Sequence, residues 1–387
     1  MNIEMEINKA LLSLIRLGLG HDGGIQETEF DWLAIKTLAE QQELTAVVLD
    51  GIERFKSLIV QEVKGPDQQF LLQWIGEVMQ SYEARYAEYE KAISSLAGFY
   101  NQHGFKMMVL KGYTCSLNWP KPNHRPCGDI DIWQFGQQKD ADAALDAWFK
   151  SSSTSKAAKP NTRVQEFKID NSHHHHTVFY WNDFMVENHY DFINVHSRKP
   201  NIELEKIFKD LGKDDSHFVE LSGDASTGSA AKVYLPSPNL HALFLMRHLV
   251  AHFTSVSITL RQVLDWAFFV EKHTKEIDWE WLIGVLKKFH MMDFYDTINA
   301  ICVEDLGFEA NIFPNVQFRQ DLKDKVLNDI LVPKYSASEP SSLIPRLMYK
   351  YHRWQGNAWK QELCYSESRW SAFWSGVWGH LLKPKNI

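Results

Sequence analysis

The sequence predicts an α/β (α+β) fold: a mixed-sheet core flanked by an N-terminal and a C-terminal helical region. Three observations carry this. Apolar residues recur at helical spacing through the first hundred positions. From Phe105 the pattern changes to short apolar runs bounded by turn residues. From Ser237 onward, "SPNLHALFLMRHLVAHF" and its successors return to helical period. The boundaries fall at residues 1–104, 105–235 and 236–387, and no internal repeat is evident.

In order along the chain, "NKALLSLIRLGL" and "FDWLAIKTLAEQQEL" read as amphipathic helices, the second capped by Asp31. "DQQFLLQWIGEVMQSYEARYAEYEKAISSLAGFYNQHG" reads as one long helix that stops near His103 and Gly104. "FKMMVLKG" is a short strand ending at Gly112, and "GDIDIWQF" is a second strand. "KDADAALDAWFKS" is helical. "RVQEFKI", "HHHHTVFYW" and "FMVENHYDF" are further strands, antiparallel where the "DNS" and "ND" links are short. The polar, small-residue stretch from Leu211 to Ala231 reads as a loop. "ITLRQVLDWAFFVEKH", "WEWLIGVLKKFH" and "DFYDTINAICVEDLG" complete the helical end.

With 387 residues, 44% apolar and 23% charged, the chain is long enough for two or three domains and a sizeable core. Aromatic content of 13%, with 14 Trp, argues against extensive disorder. A formal charge of −8 disfavours binding to long nucleic acid, which needs Lys and Arg to neutralise phosphates. Cys115, Cys127, Cys302 and Cys364 form no C-x-x-C, so neither a zinc ribbon nor a disulfide framework is expected, and reduced thiols in a cytoplasm are the simplest reading. No secretory leader and no apolar run long enough to span a membrane is expected. G-x-S-x-G, P-loop and G-x-G-x-x-G signatures are absent, so serine hydrolase, Walker-type NTPase and Rossmann dehydrogenase readings lack their anchors.

The chemistry concentrates in "RPCGDIDIW". Residues two apart on a strand share a face, so Asp129 and Asp131 stand side by side while Ile130 and Ile132 face the core. Paired carboxylates repel unless a cation lies between them, and Mg²⁺ (or Mn²⁺) is held by one or two carboxylates together with substrate phosphates. The bland alternative is an edge strand with solvated acids. Upstream, "VLKGY" offers Lys111 as a counter-charge and Gly112 as a place where backbone amides approach phosphate. Arg125 is a second polyphosphate partner, and Glu187 in "FMVENHYDF" a third carboxylate. His189 shares a strand face with Glu187 and can hold that carboxylate or the substrate.

These residues resemble a known signature. "LKGYTCSLNWPKPNHRPCGDIDIW" is similar to the DNA polymerase beta-type nucleotidyltransferase superfamily: strand, Gly-containing turn, short helix, then Asp-x-Asp on the next strand. More narrowly, L-K-G, R-x-x-G-D-I-D and a later E-x-H resemble the bacterial uncharacterised nucleotidyltransferase family. Here they are Leu110-Lys111-Gly112, Arg125 through Asp131, and Glu187-Asn188-His189. "MRHLVAHF" and "LRQVLDWAFF" are similar to later landmarks of that family, so the resemblance runs from about Phe105 to Val270. It implies a nucleotidyltransferase core that moves NMP from an NTP, ATP first among them, to the hydroxyl of an unidentified small molecule or protein, releasing pyrophosphate. Asp129, Asp131 and Glu187 would be catalytic and bind metal. Lys111, Gly112, Arg125 and His189 would bind the nucleotide. Two departures stand out. Tyr113 occupies the position of a usual second Gly or Ser, leaving Thr114 as the substitute hydroxyl, and seventeen positions separate Gly112 from Asp129. The alternative is a catalytically inactive nucleotide-binding or protein-interaction module of the same fold.

Other features have plainer readings. On a continuous strand His173 and His175 would face one way, His174 and His176 the other; alternating imidazoles can bind zinc or contact phosphate, and the plainer reading is a partly exposed strand that tolerates them. His248 and His252, four apart, lack the glutamate of H-E-x-x-H and read as packed helix residues. Arg261 and Asp265 are spaced for an intrahelical pair. The Trp-rich stretch from Trp370 to Leu382 reads as a helix docked on the body, with a partner-binding or membrane-surface helix ended by Lys383 and Lys385 as the alternative.

Overall fold

The computed structural model describes residues 3–24, 30–59, 66–155, 167–222, 230–335 and 340–367. The chain forms two compact units. One takes Met1–Tyr86, Ser116–Pro126 and Leu245–Arg369; the other includes Ala87–Cys115 and Cys127–Phe244. The N-terminal helices up to Tyr86 and the C-terminal helices from Leu245 therefore belong to one unit with the short Ser116–Pro126 segment, while the rest of the middle region and most of helix Arg85–Gln102 belong to the other. The Trp-rich stretch from Trp370 lies outside the described residues.

The helical unit follows the sequence pattern closely. Helix Ile3–Leu19 buries Leu11, Leu14 and Ile15 and packs along Thr45–Ile59. The two backbones approach so closely at Gly51 that an added Cβ would sit 1.9 Å from the Leu14 carbonyl oxygen. Asp31 caps Trp32–Gln41, its carboxylate accepting from the Ala34 amide at 3.0 Å. Helix Leu260–His273 starts in a capping box of Thr259 and Gln262. The long helix expected before Gly104 is realised as Pro66–Val78 and Arg85–Gln102, joined by a π-helical stretch, Met79–Ala84.

The other unit carries a six-stranded mixed sheet. Its strands are β1 (Met108–Val109), β2 (Ile130–Trp133), β3 (His176–Trp181), β4 (Phe184–His189), β5 (Phe218–Leu221) and β6 (Ala231–Tyr234), in the order β3-β4-β2-β1-β6-β5. β1 runs antiparallel to β2 and parallel to β6, and β2 runs parallel to β4. The parallel step uses helix Gln138–Ser155 within its crossover. β3 and β4 form a hairpin whose two loop residues, Asn182 and Asp183, both have positive φ (47° and 65°), the geometry a two-residue loop demands. β2 is buried along its whole length because sheet neighbours flank it on both edges.

Three sequence expectations need correction. The stretch from Leu211 to Ala231 contains β5, an edge strand whose residues alternate between exposed and half-buried and so give only a faint apolar signal. "RVQEFKI" is not a strand where it is described. Phe167 to Ile169 are irregular, and Asp170 makes one isolated bridge to Val178. The four histidines do not lie on a continuous strand either: His173 to His175 form a bend, and β3 begins at His176.

Candidate active site

The site is built on adjacent strands of the sheet unit. In the parallel β2·β4 ladder Asp131 and Glu187 are direct partners, so their side chains leave the same face one strand apart. His189, two residues beyond Glu187, shares that face. Ile130 and Ile132 point into the core and are fully buried, as the alternation required.

Asp131 is almost completely buried, with 2% side-chain exposure, whereas Asp129 keeps 34%. Lys111, just past β1, places Nζ 3.1 Å from Asp131 Oδ2 and 3.3 Å from Asp129 Oδ2. Burial opposes the charge on this amine, but Asp131, Asp129 and Glu187 outweigh it and hold the ammonium well above the ordinary lysine range. Glu187 moves the other way. Burial first, then the charge of Asp131, push its carboxyl up to about 7. His189 Nε2 lies 3.2 Å from Asp131 Oδ1 and 3.8 Å from Glu187 Oε2, while its Nδ1 donates to the Asp191 carbonyl at 3.1 Å.

The Lys-Gly turn is fixed by sterics. Gly112 has φ of +65°, and an added Cβ would lie 2.3 Å from Tyr89 Oη. That buried phenol donates to the Asp129 carbonyl at 2.8 Å, so one tyrosine ties the turn to the start of the acidic strand. Helix Tyr113–Ser116 follows as a single turn. The Tyr113 hydroxyl bonds Glu90 at 3.1 Å, and the Thr114 hydroxyl donates to the Val109 carbonyl at 2.5 Å. Thr114 is thus engaged in the core rather than presented as a replacement phosphate-binding hydroxyl.

Beneath the site, Asn188 occupies the β4 position between Glu187 and His189. Its amide donates to Asp142 Oδ1 at 2.8 Å, and the Thr177 hydroxyl donates to Asp142 Oδ2 at 2.7 Å. Gln138 bonds both Asp142 and Thr177. This buried network clamps helix Gln138–Ser155 to β3 and β4 and so holds the Glu187–His189 rung. The sequence offered only one hint of it: a short polar side chain in mid-strand, where Asn is disfavoured.

Arg125 is placed in the helical unit, where its guanidinium is buried and makes a two-pronged pair with Asp265 (2.7 and 2.9 Å). The same carboxylate receives Arg261 at 2.9 Å and the Trp119 indole N–H at 3.0 Å. The expected Arg261–Asp265 pair is therefore present, as part of a larger buried cluster.

Two histidines gain importance. The bend brings His175 and His176, consecutive in sequence, towards His189, with ring centroids 5.4 and 5.2 Å from it. Burial first, with the neighbouring histidines adding to it, lowers His175 to about 3 and His176 to about 2. Among the described residues, two groups have ligand atoms lying within 4.8 Å of one another: Asp131, Glu187 and His189, and His175, His176 and His189.

Carboxylates on adjacent strands of a mixed sheet, facing a Lys-Gly turn, are consistent with a nucleotidyltransferase-type α/β core. A family profile described as an uncharacterised nucleotidyltransferase matches residues 28–304. The chain belongs to that uncharacterised nucleotidyltransferase family, and a general role in nucleotidyl transfer follows from it. Among curated proteins and solved structures no significant match is found. No helix among the described residues is long and apolar enough to cross a membrane.

Proposed function

We propose that the chain transfers a nucleoside monophosphate from an NTP, with ATP as first choice, to a hydroxyl of a small molecule or protein, using Mg²⁺ or Mn²⁺. The carrying observation is the shared rung of Asp131 and Glu187, with His189 completing a donor set within 4.8 Å. This set fits a divalent cation. Two poorly solvated carboxylates face each other, and one of them is pushed up to about 7, a conflict that a cation removes. An imidazole beside two carboxylates suits Mn²⁺ at least as well as Mg²⁺.

Asp131, Glu187 and His189 would hold the cation, and Asp129 would supply a further oxygen from the more solvated edge. When bound, the cation offsets charge on the triphosphate. Lys111 lies where it can neutralise phosphate oxygens once its carboxylate partners turn to the cation. Gly112 lets the backbone come close to them. Glu187 would also be placed to orient the acceptor hydroxyl and take its proton. The acceptor oxygen then forms a bond to the α-phosphorus as the bond to the pyrophosphate oxygen breaks, and pyrophosphate leaves. Four widely spaced cysteines without a C-x-x-C pair suit a reducing, cytoplasmic setting.

The test is NTP turnover with Mg²⁺ or Mn²⁺ across acceptor pools, reading pyrophosphate release and label incorporation. Wild type should be active and Asp131→Asn inactive. Pyrophosphate-independent phosphate release would instead indicate a hydrolase. One observation favours the silent alternative: the hydroxyls of Tyr113 and Thr114 are already engaged by Glu90 and Val109. NTP binding without turnover in any acceptor pool would support that reading.

A further inference from the structure

We propose that His175, His176 and His189 form a nitrogen-donor site for a borderline-soft divalent cation of the Zn²⁺ type, beside the carboxylate set and separate in chemistry from it. Their ligand atoms lie within 4.8 Å of one another. His176 is 6% exposed, yet neither of its ring nitrogens has a hydrogen-bond partner, and the buried Nδ1 of His175 has none either. Buried imidazoles are ordinarily satisfied, so donors left facing a third histidine call for an electrophile.

The third ring is prepared for one. His189 Nδ1 donates to the Asp191 carbonyl, the usual outer-shell arrangement for a metal-binding histidine, and its Nε2, now 3.2 Å from Asp131 Oδ1, is the atom that would give up that contact and its proton to the metal. The bend that makes the cluster is also anchored. The Tyr190 and Asp191 amides both donate to the His175 carbonyl (3.0 and 3.1 Å), and the Tyr190 hydroxyl donates to the His173 carbonyl at 2.8 Å. Only this bend lets consecutive residues converge, because a continuous strand would send them to opposite faces. Glu187 Oε2 lies 3.7 Å from His176 Nδ1 and 3.8 Å from His189 Nε2. Three imidazoles select Zn²⁺, Cu²⁺ or Ni²⁺ over Mg²⁺, and three protein ligands leave a position for water or substrate. Because His189 belongs to both donor sets, Zn²⁺ here draws that ring away from the carboxylate site.

The test uses the full chain stripped by a chelator, with Zn²⁺ followed by competition against a chromophoric chelator and Co²⁺ as the visible probe. One equivalent should bind, with d–d bands of a nitrogen-rich site, and His175→Ala and His176→Ala should each weaken it by about tenfold or more. Asp129→Asn should not. Unchanged Zn²⁺ affinity in both histidine variants overturns the proposal, as does wild-type binding no tighter than that of Mg²⁺. Should the variants fail to fold, X-ray absorption on the Zn²⁺-loaded wild type decides: nitrogen scatterers at about 2.0–2.1 Å with imidazole outer shells support the site, and a shell without imidazole overturns it.

Discussion

Asp131 and Glu187 are direct partners across a parallel ladder, and the pair carries a repulsion that the fold does not relieve by itself. Burial and Asp131 raise the Glu187 carboxyl to about 7, so its ionised form is disfavoured in the folded state. The stability tied to its proton is present below the ordinary carboxyl pKa and is lost as pH rises through about 7. Glu187→Gln keeps the shape and removes the charge. Without added cation at pH 8 it should be more stable than wild type, by about 1–3 kcal/mol. The rise in melting temperature that Mn²⁺ gives wild type should disappear in the same variant. A variant less stable at pH 8, with an intact Mn²⁺ response, would remove Glu187 from the site.

Lys111 is the counter-charge that makes the cation-free state tolerable, lying within 3.3 Å of both Asp129 and Asp131. Lys111→Met should cost about 1–3 kcal/mol at pH 8, less than a fully buried pair because Asp129 is partly solvated. Saturating Mn²⁺ should recover part of that loss by supplying charge at the same carboxylates. Denaturant melts with and without Mn²⁺ check it. An equal loss under both conditions contradicts the shared role.

Gly112 tests the turn. Alanine there meets two penalties, a positive φ and a Cβ placed 2.3 Å from the buried Tyr89 hydroxyl. Gly112→Ala should lose about 1–3 kcal/mol or more, with nucleotide binding reduced alongside stability. Tyr89→Phe opens the space around that hydroxyl, so the Gly112→Ala penalty should shrink in the double variant. Additive losses would show that the backbone angle alone sets the cost.

How much of this was legible depends on the range of each interaction. Asp129, Asp131 and Gly112 are local in sequence, and although Asp129 precedes β2, both acids lie within 3.3 Å of Lys111 Nζ. Glu187 and His189 were readable as an E-x-H strand, but the chain pattern does not say which strand pairs with β2. The parallel register that sets Asp131 against Glu187 comes only with the crossover through Gln138–Ser155. Period-2 reasoning presumes a strand through all four histidines, and the bend at His173 to His175 changes which rings converge. β5 stayed hidden because an edge strand with half its residues exposed looks like a polar loop. Arg125 was weighed for a phosphate, and its partner Asp265, 140 residues away, could not be seen from spacing.

The Arg125–Asp265 pair is a stability prediction. Asp265→Ala strands a buried guanidinium and also frees Arg261 and the Trp119 indole, so a loss of about 3–5 kcal/mol is expected. Arg125→Met in the same background should add little, because the uncompensated charge has gone. Urea melts of the double cycle measure this, and a second full loss in the double variant would show that Arg125 has an independent role.

Glu205 gives the last pH signature, away from the cation ligands. From helix Asn201–Leu211 its two carboxylate oxygens accept from the Phe192 and Ile193 amides at 3.0 and 3.1 Å, just past β4. Those bonds favour ionisation, but burial first and Asp191 after it prevail, pushing the carboxyl up to about 7. The stabilising state is the protonated one, complete below the ordinary carboxyl pKa and lost as pH rises through about 7. Glu205→Gln mimics that protonated state. Its stability relative to wild type should improve between pH 5.5 and pH 8, by about 1–3 kcal/mol, whatever its offset at the lower pH. Urea melts at the two pH values read the change. If glutamine instead becomes relatively worse at pH 8, the ionised carboxylate with its two backbone bonds is the stabilising form, and the desolvation argument at this position fails.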